Sequence, residues 1–148
     1  MMEIRRARGA DIDAVVELEK ASFAVPWSRS GFLFELRSEY ADFLLACEGE
    51  RLLGFAIAHL AGDDSELFNI CVAESERGRG IGGALIDECV RLAEKRGAGR
   101  MLLEVRASNK PARSLYLKKG FQVLGVRRNY YELPTEDAVM MERELKIN

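Results

Sequence analysis

The sequence predicts a mixed α/β fold, a twisted and mostly antiparallel sheet with a central parallel pair, flanked by helices. Three observations predict it. Apolar-rich runs at residues 42–48, 51–61, 66–73, 100–107, 121–126 and 138–145 have strand character, and residues 3–7 read as a further short strand. Between some of them lie segments with apolar residues at helical spacing, the strongest running from Ile81 to Ala93. The length of 148 residues suits one domain over 1–148, long enough to bury most of the surface it exposes when unfolded.

After the strand at 3–7, Gly9-Ala10-Asp11 opens a helix with Ile12, Val15, Val16 and Phe23 on one stripe, and Pro26 ends it. A second short helix starts at Ser28 and carries Phe32, Leu33 and Leu36; the link between the two exposes the only tryptophan, Trp27, to a ligand. Asp42 to Glu48 and Arg51 to Ala61 form antiparallel neighbours across the polar turn Gly49-Glu50. Gly62-Asp63-Asp64 turns the chain into the strand Glu66 to Ala73, which the glycine-rich stretch Glu74 to Gly80 follows.

The next helix sets Ile81, Ala84, Leu85, Cys89, Leu92 and Ala93 on its apolar stripe, with Asp87, Arg91, Glu94 and Lys95 outside and Gly97 at its end. Arg100 to Ala107 is largely apolar and is expected to be central in the sheet, parallel to Glu66 to Ala73. Asn109 can cap the following helix, Pro111 fits its first turn and Gly120 closes it after Lys118-Lys119. The last strands, Phe121 to Val126 and Ala138 to Leu145, are joined by a loop containing Tyr130-Tyr131-Glu132-Leu133-Pro134.

Composition narrows the function classes. A hydrophobic fraction of 48% and a charged fraction of 31% are those of an ordinary soluble globular protein. Met1 to Arg6 leads into an amphipathic segment rather than an apolar signal core, and no apolar run approaches bilayer-spanning length, so a cytoplasmic protein without a membrane partner is expected. Cys47, Cys71 and Cys89 lie far apart in apolar stretches and read as buried thiols; with His59 the only histidine, no metal is expected. The net charge of -2 argues against a nucleic-acid partner, yet leaves room for a local basic patch that holds an anionic cofactor.

That patch is Arg77-Gly78-Arg79-Gly80-Ile81-Gly82-Gly83, between a strand and a helix. Its backbone N–H groups can converge on an anion at the helix's positive end, and its arginines add planar donors suited to phosphate. Gly78, Gly80 and Gly83 also satisfy the dinucleotide pattern G-x-G-x-x-G, with Glu104 where the ribose acid would stand. Against that, four polar residues separate the strand's end near Ala73 from Gly78. A nucleotide-triphosphate loop fits less well, because no Lys-Ser or Lys-Thr follows the glycines. The plain alternative is a flexible turn with solvated arginines.

Arg77-x-x-Gly80-x-Gly82 after a strand and opening a helix resembles the coenzyme A pyrophosphate loop of the GNAT superfamily of N-acetyltransferases, as does the order of elements over nearly the whole chain. Phe68-Asn69-Ile70, Leu103-Glu104-Val105-Arg106-Ala107-Ser108-Asn109, Leu115-Tyr116 with Gly120-Phe121, and Arg127-Arg128-Asn129-Tyr130-Tyr131 resemble the RimI type within it. The resemblance implies acetyl-coenzyme A as cosubstrate and the N-terminal peptide of a small-subunit ribosomal protein, beginning with alanine, as acceptor. A lysine or small-molecule amine acetyltransferase and a non-catalytic coenzyme A sensor are the alternatives.

Acetyl transfer to an amine needs a base, an oxyanion site and a proton for the leaving thiolate. Glu104 is the only acidic residue in its apolar strand, and the resemblance makes it the base; an ion pair with Arg106, two residues on and on the same face, is the structural alternative. Glu66 is a less favoured base. Tyr116 takes the acid role by its place in the motif, against ordinary packing beside Leu115 and Phe121. Backbone N–H groups of Ile70, Cys71 and Val72 are expected to bind the oxyanion and pair with the pantetheine arm. Cys71 as an acyl-accepting nucleophile is the sharper alternative to core packing. Asn109 resembles a cofactor contact and serves equally as a helix cap. Trp27, Tyr130 and Tyr131 come from loops expected to flank the acceptor groove. A monomer or weak dimer is expected.

Overall fold

The computed structural model describes residues 1–146. Among them, seven strands, β1 (Glu3–Arg6), β2 (Ala41–Glu48), β3 (Arg51–Ala61), β4 (Asp64–Val72), β5 (Arg100–Arg106), β6 (Gln122–Tyr131) and β7 (Glu136–Glu144), form one sheet in the order β1-β2-β3-β4-β5-β7-β6. Four helices, α1 (Ile12–Ser22), α2 (Arg29–Arg37), α3 (Ile81–Lys95) and α4 (Lys110–Lys118), lie between them in sequence. Every strand pairing is antiparallel except that of β4 with β5, as the sequence predicts.

Alternation along the central strands builds two apolar layers. Leu44, Ala46, Leu53 and Ala56 face α3 with Met101, Leu103 and Val105 of β5, and this core takes in Leu85, Ile86, Cys89 and Val90 of the helix. Phe43, Leu45, Cys47, Phe55 and Ile57 point to the opposite face, where Ile12 and Val15 of α1 and Phe32 of α2 cover them. Because β2 is covered on both sides, nearly all of its residues are buried and its sequence reads as a continuous apolar run.

Several predicted bounds move. Ile86 and Val90 are buried in α3 although they lie off the predicted stripe, because the helix sinks deeper into the sheet than one narrow stripe requires. Phe23 lies just past the end of α1 and is exposed rather than part of its stripe. β6 extends through Tyr130 and Tyr131, which are strand residues and not loop residues. Its outer half, Arg127-Arg128-Asn129, carries no apolar alternation; pairing with β7 at Arg127 and again at Tyr131 holds it in the strand.

One irregularity positions the functional site. β3 pairs Ile57 with Asn69 and Ala58 with Leu67, so Phe68 is an extra, unpaired residue that forms a bulge in β4. A bulge bends its strand and increases the local twist. The parallel pairing of β4 with β5 covers Asp64–Leu67 against Arg100–Leu103 and stops there, at the bulge. Beyond Leu67 and Leu103 the two strands have no pairing.

Polar clamps fix the rest. Asp42, only 2% exposed, accepts from Arg6 and Arg96, and Arg96 also donates to the carbonyls of Glu39 and Ala41, tying the end of α3 to β2. On the other side of the bulge, β3 and β4 approach closely at Gly54: a Cβ there would lie 2.7 Å from the Cys71 carbonyl oxygen and 3.2 Å from Val72 Cα. Both are backbone atoms that cannot rotate away. Gly54→Ala is expected to cost about 1–3 kcal/mol through this overpacking, read as a fall in Tm of several degrees; an unchanged Tm would show that the two strands separate freely.

Candidate active site

The chain leaves β4 through a single 3-10 turn, Glu74–Glu76, passes Arg77 in extended conformation and enters α3 at Gly80. Gly78 and Gly80 have φ of 84° and 76°, the left-handed region that side chains disfavour, while a Cβ at either would meet open space. Backbone shape, not crowding, calls for glycine there. Gly82 and Gly83 serve differently: Cβ atoms on them would lie 3.2 Å from Leu115 Cδ2 and 3.1 Å from Lys119 Cε, so their smallness lets α4 approach α3.

No side chain caps α3. Ala84 N–H donates to the Gly80 carbonyl, which leaves the N–H groups of Ile81, Gly82 and Gly83 without an intrahelical acceptor at the positive end of the helix. The two arginines divide. Arg79 is spent on structure, its guanidinium 2.6 Å from both Glu76 and Glu48, which folds the turn onto the end of β2. Arg77 is exposed and has no ion pair among the described residues, so it alone of the two is free for an anion.

Where β4 and β5 part, the outer edge of Ile70–Val72 is unpaired. Ala73 N–H donates to the Leu53 carbonyl, toward β3. Alternation along β4 therefore aims the Cys71 N–H at β3 as well, and the N–H groups of Ile70 and Val72 into the gap. Of the three expected backbone donors, two face the gap. Cys71 is buried and donates its Sγ–H to Ser22 Oγ at 3.1 Å, and burial pushes its thiol up, away from the thiolate a nucleophile needs. Cys47 and Cys89 are buried free thiols too.

Glu104 is the first β5 residue beyond the parallel pairing, on the face opposite the Met101, Leu103 and Val105 core. It does not pair with Arg106. That guanidinium donates to Glu136 and to the carbonyls of Glu132 and Pro134, and stacks 4.7 Å from the centre of the Tyr131 ring. Among the described residues the nearest cation to Glu104 is Arg127 of β6, at 3.9 Å from Oε1, and Oε2 is buried with no hydrogen-bond partner. A buried, unsatisfied carboxylate oxygen is costly, and such groups concentrate where a substrate supplies the missing partner.

Tyr130 and Tyr131 stand beside it. The β6–β7 register slips between Arg127 and Tyr131, with Asn129 in left-handed conformation and its N–H bonded to Asp137 Oδ1 at 2.9 Å. The two rings meet edge to face at 5.1 Å. Burial, then the Glu104 charge, raise both phenols, Tyr131 to about 12, so both stay protonated near neutral pH. Glu66 alternates with the core residue Leu67 and so lies on the same side of the sheet as Glu104.

Tyr116, 5% exposed, packs its ring 5.8 Å from Phe121, so the packing reading is correct as far as it goes. Burial first, and then Tyr131, raise its phenol above the ordinary tyrosine range. A group so held keeps its proton until a strong base appears. Asn109 caps α4, its Oδ1 accepting from Ala112 N–H at 3.3 Å, and keeps its side-chain N–H groups for another partner. Trp27 is half-buried rather than exposed, its ring 5.3 Å from Phe32. Arg127, absent from the candidates read off the sequence, had only its place in the Arg127–Tyr131 motif as a signal.

Residues 12–121, which include the bulge, the glycine turn, Glu104 and Tyr116, match the model of the Acetyltransferase (GNAT) family, and the chain belongs to that family. Within it, the [ribosomal protein bS18]-alanine N-acetyltransferase of Escherichia coli (strain K12) is 37% identical over 145 residues, 95% of this chain and 96% of that protein. A crystal structure of the ribosomal-protein-S18-alanine N-acetyltransferase from Escherichia coli superposes with a TM-score of 0.92 at 33% identity, covering 100% of this chain and 96% of the other. A Bacillus subtilis (strain 168) protein provisionally given the same name is 39% identical over 139 residues, 93% of this chain and 92% of that one. The PaiA N-acetyltransferase from Thermoplasma acidophilum, solved in complex with coenzyme A, shares the fold with a TM-score of 0.80 at 22% identity, covering 97% and 99%. Among the described residues no helix is long and apolar enough to cross a membrane, and no His, Cys, Asp and Glu cluster is placed to hold a metal.

The buried, hydrogen-bonded thiol predicts that Cys71→Ala keeps acetyl-transfer turnover within about threefold of the parent; a loss of several orders of magnitude would restore the covalent reading.

Proposed function

We propose that this chain, as one N-acetyltransferase domain, moves the acetyl group of acetyl-coenzyme A directly onto the N-terminal alanine of a small-subunit ribosomal protein. The observation that carries the reading is the unpartnered Glu104 Oε2 at the point where β4 and β5 part. The names of the relatives support the acceptor, and a cytoplasmic reaction is in keeping with a ribosomal acceptor.

The residues fit the cosubstrate. The free N–H groups at the start of α3, with Arg77 beside them, suit a pyrophosphate. The unpaired edge of β4 suits an extended pantetheine arm that adds to it like a strand, and the spare amide of Asn109 lies at the start of α4 for a further contact. The thioester supplies an activated acetyl group.

Glu104, directly or through one water, takes a proton from the acceptor ammonium, whose pKa of ~8 makes it an easier target than a lysine at ~10.4. The freed nitrogen bonds to the acetyl carbonyl carbon while the Ile70 or Val72 N–H meets the developing oxyanion. As the carbon–sulfur bond breaks, Tyr116 gives its proton to the departing sulfur; the new amide nitrogen loses its second proton, which restores Tyr116 through solvent, and the proton held by Glu104 is released to solvent. Burial keeps that phenol protonated, as an acid requires. Trp27 on one side and Tyr130 with Tyr131 on the other border the approach to Glu104.

Acetyl-coenzyme A consumption, measured with an alanine-starting ribosomal peptide, the same peptide N-terminally blocked, and a lysine-bearing control, is expected only with the free alanine terminus. Turnover confined to lysine would overturn the acceptor assignment. Glu104→Gln is expected to lower kcat about 10²–10³-fold, most at lower pH where the acceptor is largely ammonium, with acetyl-coenzyme A KM unchanged. An equal loss at every pH would remove the base role.

A further inference from the structure

A buried carboxylate on α1 lies outside the chemistry just described. Glu19, in the last turn of α1, is 1% exposed. Its Oε2 accepts from the Trp27 backbone N–H at 2.9 Å and its Oε1 from Asn69 Nδ2 at 2.9 Å. Among the described residues no lysine, arginine or histidine lies within ion-pair distance, and burial pushes the carboxyl up against the pull of its two donors. An apolar side chain of similar volume would leave the Trp27 N–H and the Asn69 amide without an acceptor. What the carboxylate adds is geometry.

Its two donors belong to different parts of the site. Trp27 lies in the α1–α2 link, on the sheet face toward which Glu104 points. Asn69 follows the Phe68 bulge and directly precedes Ile70, whose N–H faces the gap. Cys71, on the other side of Ile70, is tied to α1 through Ser22 Oγ. The end of α1 thus grips both β4 residues that bracket Ile70.

We propose that Glu19 is a positioning residue for the acceptor: it holds the Trp27 link in fixed register with the Ile70 amide, so that a peptide terminus guided by the link arrives in line with the thioester carbonyl. This rests on the acetyltransfer reading above. Glu19 touches neither substrate and acts through Trp27 and Asn69.

The test uses exchanged hydrogen-bond polarity in the full-length protein. Glu19→Gln can accept from only one donor and turns its own N–H groups on the other; Asn69→Asp sets two carboxylates together. When Glu19→Gln and Asn69→Asp are combined, the amide introduced on α1 accepts from Trp27 and donates to the carboxylate introduced on β4, restoring both bonds. Each single change is expected to raise acceptor KM about tenfold, leave acetyl-coenzyme A KM within about twofold, and red-shift the emission of Trp27, the only tryptophan. The double variant is expected to recover acceptor KM and emission to near parent values. Singles that lower Tm with acceptor KM unchanged, or a folded double variant no better than the singles, would overturn the proposal. Should the parent fail to acetylate the alanine peptide, the acetyltransfer reading falls by itself; unshifted emission in Glu19→Gln would independently remove the clamp.

Discussion

The site depends on a break in strand pairing. Four residue pairs join β4 and β5, from Asp64 with Arg100 to Leu67 with Leu103, and then the strands separate. Unpaired backbone groups inside a sheet are costly, and they persist only when the surroundings enforce them and a ligand or solvent can reach them. Here the Phe68 bulge bends β4 away, β3 holds it from the far side at the close Gly54 contact, and the α3 and β5 core fixes its partner. The same break leaves the Ile70 and Val72 N–H groups unpaired and Glu104 as the first side chain past the last pair.

Charge is allotted around that gap in two different ways. Glu76 takes both Arg51 and Arg79, and Glu48 takes Arg79 again, so the turn is pinned by ion pairs on its outer side. With those charges committed, the first N–H groups of α3 and the exposed Arg77 are left without partners among the described residues. Near Glu104 the arrangement is reversed. Arg106 is drawn off to Glu136 and the Glu132 and Pro134 carbonyls, Arg127 stays at 3.9 Å, and two protonated tyrosines border the carboxylate. Glu104 Oε2 is thereby left without a hydrogen-bond partner among the described residues, unlike the fully paired Glu76.

Much of this was legible in the sequence. Strand alternation, the α3 stripe, the Asn109 cap and the glycines of the turn each follow from local chemistry, and all four helices exist where spacing put them, although α1 begins at Ile12 and ends before Phe23. The site residues Glu104 and Tyr116 stand out only through their motif, because an acid in an apolar strand and a tyrosine beside a phenylalanine are common in ordinary cores. The β6 bounds were not legible: Tyr130 and Tyr131 become strand residues through β7, which lies beyond the turn that follows them.

What the sequence determined by itself is the order and kind of elements, because propensity, periodicity and capping act over a few residues. Only the tertiary structure decided which charges were free. Arg79 finds Glu48, 31 positions away; Arg106 finds Glu136, 30 away; Glu19 finds Asn69, 50 away. Such choices depend on distances that exist only after the sheet has formed. The same holds for the gap itself: a bulge is a mismatch between two strands, and neither strand carries it alone.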